Sequence, residues 1–362
     1  MKIAIIAGAR PNFMKIAPII RAIHAIQSNQ SPITYSLVHT GQHYDAAMSG
    51  NFFLQLGIPE PNVNLNCGGG TQAEQTASIM VAFEKYLIEN PMDWVIVVGD
   101  VTSTMACTIV AKKLNIKVAH VEAGIRSGDM TMPEEINRIV TDSLSDVFFT
   151  TTEIANDKLL ALGFDKSQIV FVGNTMIDTL LHHENEFVAP PFWSEFQLNH
   201  KQYLVMTLHR PSNVDNEEQL AALLGVIEEE LLDTPVIFPV HPRTRKNMES
   251  FNLHPKNVIM VDPLGYFEFN YLVKNAKGVI TDSGGITEET TVMGIPCITL
   301  RENTERPETC SIGTNELIGT NPENLRKALI RLQSGNWKKG SIPPLWDGKT
   351  SERIIDWFIQ QS

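Results

Sequence analysis

Gly278-Val-Ile-Thr-Asp-Ser-Gly-Gly-Ile-Thr-Glu-Glu289 runs on through Val292-Met293-Gly294-Ile295-Pro296 and closes with Thr304-Glu305-Arg306-Pro307-Glu308. A short apolar run ends in Asp282-Ser283-Gly284-Gly285, and Ile286 to Met293 then carries helix formers with Ser283 placed as a cap. The pattern is a strand, a tight turn and a helix start. Two glycines after the serine let backbone amides approach a ligand closely, and the helix N-terminus adds partial positive charge, so the turn suits a phosphate. Glu288 and Glu289 follow one turn in, where a carboxylate can bind ribose hydroxyls. Taken alone, Ser-Gly-Gly is more often a plain capped αβ unit. The rest of the chain carries the choice.

At 362 residues there is length for two domains, each with its own core. An apolar fraction of 43% with 19% charged residues describes a soluble globular chain. A net charge of -12 argues against nucleic acid or an anionic membrane surface as the main partner, so any bound anion is held locally. The opening apolar run is too short for a signal peptide, and no stretch nears the roughly 18 apolar residues that span a bilayer. Cys67, Cys107, Cys297 and Cys310 form no Cys-x-x-Cys pair, which reads as reduced thiols in the cytoplasm.

Lys2 to Ala7 reads as a buried strand, and Gly8-Ala9-Arg10-Pro11-Asn12 turns into a helix from Phe13 to about Ile26. Arg10 and Lys15 sit at the mouth of that turn, where a cation is unfavourable unless an anion joins it. Ile33 to Val38 is a second strand, and helices are expected near 45–56 and 73–89. Trp94 to Val98 ends in Gly99-Asp100, and Lys117 to Val121 ends in Glu122-Ala123-Gly124. Ligands of open parallel sheets bind beyond the carboxyl ends of the strands, so Asp100 and Glu122 face one crevice. Pro133 opens a helix, with Glu134 and Arg138 one turn apart, a spacing that also fits a simple i,i+4 ion pair. Strands at about 147–150 and 168–172 bring the first half to six.

His182 to His200 is polar and proline-containing, the best linker. A second alternating series follows, with strands near 203–207, 235–239, 257–261, 278–281, 296–299 and 316–318. Its first two strands end in His209-Arg210 and His241-Pro242-Arg243, a pairing that favours an anion-lined cleft over lone structural histidines. The fold class expected is α/β, two doubly wound Rossmann-like domains facing a central cleft. The domains are 1–175 with the carboxylates, 176–348 with the phosphate turn, and a helix in 349–362 docking back on the first.

Carboxylates opposed across a sugar ring can take a proton from one face and return one to the other, while basic groups on a diphosphate stabilise it as a leaving group. Redox epimerisation would want a Gly-x-Gly-x-x-Gly turn or a tyrosine followed four residues later by lysine. Neither occurs, so no nicotinamide cofactor is expected. His39, His43, His209 and His241 are spread too widely to claim a metal.

Nine motifs in order now carry a resemblance: Gly8-Ala9-Arg10-Pro11, Gly41-Gln42-His43, Gly99-Asp100, His120 through Arg126, Pro133 through Arg138, Gly173-Asn174-Thr175, His209-Arg210, Thr281 through Gly285, and Thr304 through Glu308. The chain resembles the non-hydrolysing UDP-N-acetylglucosamine 2-epimerases, which have a glycosyltransferase-B-like fold. The resemblance implies reversible conversion of UDP-N-acetylglucosamine to UDP-N-acetylmannosamine through elimination and re-addition of UDP, with no external cofactor or metal and usually in a homodimer. It places acid/base groups on Asp100, Glu122, Glu134 and His209. Nucleotide contacts fall on Arg10, Lys15, Ser283, Gly284, Gly285, Glu289 and Arg306, with Phe269 beside the uracil and Arg138 and His241 as supporting charges. Tyr44 and Pro211 stand where members with a second, regulatory UDP-N-acetylglucosamine carry arginine. His39 to Pro61 also resembles relatives acting on 2,3-diacetamido uronic acid sugars, which leaves the substituents at C3 and C6 open. A hydrolysing epimerase, a glycosyltransferase and a nucleotide-sugar sensor are the competing classes.

Overall fold

Runs such as Ile3-Ala4-Ile5-Ile6-Ala7 and Trp94-Val95-Ile96-Val97-Val98 are apolar on both faces, which suits strands covered on both sides. In the computed structural model, which describes residues 1–27, 33–41 and 55–361 except for the side chains of Arg10 and Gln27, they form the middle of a parallel sheet. The expected helix at 45–56 and the Gln42 to Asp45 positions lie almost wholly outside the described residues.

The chain divides into two units, residues 1–182 with the tail from Pro344, and His183–Pro343. In the first, the strands are β1 (Lys2–Ala7), β2 (Thr34–His39), β3 (Val63–Asn64), β4 (Trp94–Val98), β5 (Lys117–Ala123), β6 (Val147–Thr150) and β7 (Ile169–Phe171). They lie in the order β3-β2-β1-β4-β5-β6-β7. The order reverses between β1 and β4, so the crevice for a ligand opens past Ala7 and Val98. The helices are α1 (Arg10–Gln27), α2 (Gln72–Glu89), α3 (Thr102–Lys113), α4 (Pro133–Leu144), α5 (Glu153–Ala161) and α6 (Thr175–His183).

Three differences from the sequence reading have physical causes. β3 is only two residues long, too short to show an apolar period, and exists by pairing with Val38 and His39. α3 is rich in Thr, Ser and Cys, weak helix formers, and is buried on nearly all sides, so it lacks an amphipathic stripe. α1 starts at Arg10, because Asn12 Oδ1 accepts the amides of Gly8 and Ala9 (3.1 and 3.0 Å) and fixes the turn before it.

The second unit holds β8 (Leu204–Thr207), β9 (Val236–Pro239), β10 (Val258–Val261), β11 (Gly278–Thr281), β12 (Cys297–Thr299) and β13 (Asn315–Leu317), in the order β10-β9-β8-β11-β12-β13. Every pairing is parallel, and the switch falls between β8 and β11. Around them lie α7 (Pro211–Val214), α8 (Glu217–Glu230), α9 (Pro242–Ser250), α10 (Tyr266–Asn275), α11 (Gly284–Met293), α12 (Pro307–Ser311) and α13 (Pro322–Gln333). Leu204, Met206, Val236, Phe238, Ile280 and Leu329 are fully buried in its larger core.

The last helix, α14 (Thr350–Gln360), belongs to the first unit and packs on α1. Phe358 meets the edge of Trp94 at 5.4 Å. Asp178 of α6 caps α14, accepting the amides of Thr350 (3.0 Å) and Ser351 (2.7 Å).

Candidate active site

In the first unit the turns after β4 and β5 meet α4. Gly99 has φ +67°, which favours glycine, and a β-carbon there would stand 3.1 Å from Lys15 Nζ and 3.3 Å from Glu122 Oε2, crowding both groups. Glu122 itself has φ +69°, the left-handed region, at a register shift between β5 and β6. A non-glycine residue held there costs on the order of 1–3 kcal/mol, a strain that gathers at functional positions. The strained turn delivers Glu122, 4% exposed, to an ion pair with Lys15. Lys15, read from sequence as a phosphate cation, thus holds a carboxylate.

Asp100 is engaged by α4 in two ways. Arg138 pairs with its carboxylate, and Asn137 Nδ2 donates to its carbonyl at 2.8 Å. Arg138 also reaches Glu135 at 3.2 Å, so the i,i+4 ion pair with Glu134 does not form. Glu134 is half-buried and makes no hydrogen bond or ion pair among the described residues. Glu135 accepts the amides of Ser127 (2.8 Å) and Gly128 (3.2 Å) and fixes the loop before α4. Burial works against its charge, yet these amides, Ser127 Oγ and Arg138 hold its carboxyl below the usual range. The backbone of Arg10 opens α1, and its side chain lies outside the described ones.

In the second unit Ser283 occupies the N-cap of α11, but its hydroxyl makes no capping bond, contrary to the sequence reading. The first amides of α11 therefore have no side-chain cap, which is what an anion site needs. Gly284 lies beside Arg301, whose guanidinium Nη1 is 3.4 Å from where a β-carbon would stand, and Gly285 borders open space. Arg301 is 3% exposed, is held by Glu305 at 2.9 Å and keeps Nε without a partner. It was missed in the sequence, although an arginine two residues past a buried strand was its signal.

Glu288 pairs with Arg306, and Glu289 accepts from Tyr266 Oη at 2.9 Å. Burial pushes the Glu289 carboxyl up to about 7; Tyr266 opposes the shift and Glu288 adds to it. Phe269, on the same helix as Tyr266, is partly buried against the smaller core. His241 caps α9 from an exposed position. Asp282, quoted in the turn but given no role, is the hub here. It is fully buried and accepts His209 Nδ1 (2.7 Å), the amides of His209 (3.0 Å) and Arg210 (2.9 Å), and Asn213 Nδ2 (3.1 Å). Burial opposes its charge, but the His209 side chain and the two amides keep its carboxyl below the usual range. A carboxylate that accepts from Nδ1 orients the imidazole and leaves Nε2 to take or give a proton, the arrangement of a general acid or base.

The family model of UDP-N-acetylglucosamine 2-epimerase matches residues 24–359. The chain belongs to the UDP-N-acetylglucosamine 2-epimerase family. The enzyme of that name from Methanocaldococcus jannaschii is 43% identical, with 98% of each chain covered. The crystal structure of the M. jannaschii enzyme with UDP-GlcNAc and UDP matches at 42% identity and a TM-score of 0.86, covering 99% of this chain and 100% of that one. The UDP-2,3-diacetamido-2,3-dideoxy-D-glucuronate 2-epimerase of Pseudomonas aeruginosa is 39% identical over 99% of this chain and all of its own. Two parallel α/β units with such neighbours are the glycosyltransferase-B-like architecture of this epimerase family. Among the described residues, no helix is long and apolar enough to cross a membrane, and no group of three or more His, Cys, Asp or Glu is placed to hold a metal ion.

Proposed function

We propose that this epimerase interconverts UDP-N-acetylglucosamine and UDP-N-acetylmannosamine without hydrolysis, as a homodimer in the cytoplasm. A carboxylate removes the C2 proton as the C1–O bond to UDP breaks, leaving a 2-acetamidoglucal. UDP then adds back at C1 while C2 receives a proton on the opposite face. Asp100, Glu122 and Glu134 supply the acid and base, and His209, oriented by Asp282, assists at the leaving oxygen. The amides of Gly284 and Gly285, with the hydroxyl of Ser283, take the diphosphate with Arg10 and Arg306. Glu289 takes the ribose and Phe269 lies by the uracil, while Arg138 holds Asp100 and His241 adds supporting charge. The observation that carries the reading is the pair of cation-held carboxylates around Gly99, Lys15 with Glu122 and Arg138 with Asp100. The free cysteines fit a reducing compartment.

Proton NMR of the purified protein with UDP-N-acetylglucosamine in deuterated water, with no nicotinamide added, tests this. Deuterium at C2 together with an anomeric signal of UDP-N-acetylmannosamine is the expected result. Free UDP with N-acetylmannosamine would move the protein to the hydrolysing reaction. A second reading, a UDP-2,3-diacetamido uronate as substrate, draws on the P. aeruginosa relative, nearly as similar as the M. jannaschii enzyme. Exchange at C2 of that sugar alone would select it.

A further inference from the structure

His120 lies fully buried in the middle of β5, beside Val97 of β4. Its Nδ1 is 2.6 Å from Asp142 Oδ1 of α4, and its Nε2 is 2.9 Å from the carbonyl oxygen of Gly99. A carbonyl oxygen only accepts, so Nε2 has to carry hydrogen. Asp142 Oδ2 already takes Arg126 Nη1 at 2.6 Å and the amide of Gly124 at 3.1 Å. A carboxylate that accepts a guanidinium and an amide on Oδ2 is the ionised, acceptor-only form, so Oδ1 too only accepts. Both ring nitrogens therefore face acceptors.

We infer that His120 is an imidazolium strut, a positioning residue that donates from both nitrogens and fixes the Gly99-Asp100 turn against α4. The role rests on Asp100 acting at C2 as proposed above. The consequence follows from what the network joins. Asp142 ties the Gly124 turn, His120 and Arg126 to the same helix that holds Asp100 through Asn137 and Arg138 and carries Glu134. A ring with one proton would turn a lone pair on the Gly99 carbonyl or on Asp142. The turn would relax, and Asp100 would leave its register with Arg138. His120 touches no reacting atom, so its loss acts on turnover and spares nucleotide binding.

Long-range proton–nitrogen correlation NMR of protein labelled with nitrogen-15 histidine decides the charge, with His120 assigned by the signals missing from His120→Asn. Two protonated ring nitrogens at neutral pH are expected. One protonated and one bare nitrogen would overturn the strut, and this readout uses the unaltered protein and needs no activity. For the role, His120→Asn is expected to lower kcat on the order of 10- to 100-fold, the scale of a small misplacement of a reacting group, with KM and UDP affinity nearly unchanged. Unchanged turnover, or parallel loss of UDP binding and turnover, would reject the positioning role. If the unaltered protein exchanges no C2 proton, the proposed reaction fails and the positioning role with it, while the ring signals still settle the charge.

Discussion

Glu289 reaches neutral pH with its carboxyl only partly ionised. Its pKa rises from 4.5 to about 7, so between those values the folded chain holds a proton that the unfolded chain has released. Stability from the neutral form is therefore full below about 4.5 and is lost as pH rises toward 7, by about 3 kcal/mol in all. Glu289→Gln keeps an acceptor for Tyr266 without the charge. Thermal melts of the free protein should show the variant more stable at pH above 7, with the difference shrinking toward acid, while its UDP affinity falls. A gain that does not vary with pH would mean the carboxylate is not strained. Glu122 makes the opposite case. Its side chain is placed by a left-handed backbone and Lys15, and Glu122→Gln is expected to lower turnover on the order of 100-fold or more while UDP affinity, measured by calorimetry, stays close to wild type. Parallel loss of both would make Glu122 structural. At this scale Asp100, Glu122 and Ser283 were legible because each follows an apolar run at a strand end. Asp282 and Asp142 were not, because their meaning lies in partners far along the chain, as with Asp282 and His209.

The elements were legible where their period is strong. β1, β4 and β5 announce themselves as apolar runs, and α2 carries its start in the box formed by Thr71 and Glu74. α3 and β3 stayed hidden, since a helix buried all round and a two-residue strand have no period to read. α14 was legible as a helix, and its attachment is a single buried carboxylate. Asp178, 4% exposed, accepts two amides and the hydroxyl of Ser351 (2.6 Å) at the N-terminus of α14. Asp178→Ala leaves those donors buried without an acceptor. A loss of about 2–3 kcal/mol is expected in urea unfolding, with early proteolysis near Pro344. If α14 stays protected from protease in the variant, its packing through Trp357 and Phe358 against Trp94 is what holds it.

At the scale of the whole molecule, charge and surface oppose each other. A chain of net charge -12 repels its own copies, so self-association needs an apolar face strong enough to overcome that repulsion. α2, α3 and α4 pack side by side in the first unit. Val81 and Ile88, seven residues apart on one side of α2, are exposed, and so are Ile136 and Ile139 of α4 and Met130 just before it. Large apolar side chains on the two helices that flank α3 are the kind of surface that a symmetric dimer covers. Light scattering should give the mass of two chains. Val81→Glu combined with Ile136→Glu should give the mass of one, with the fold intact by circular dichroism. Salt separates this interface from a polar one, because screening the repulsion between acidic copies should tighten an apolar dimer, whereas it would loosen one held by ion pairs. Dissociation on adding salt, or a dimer that survives both substitutions, would place the contact on another face of the protein.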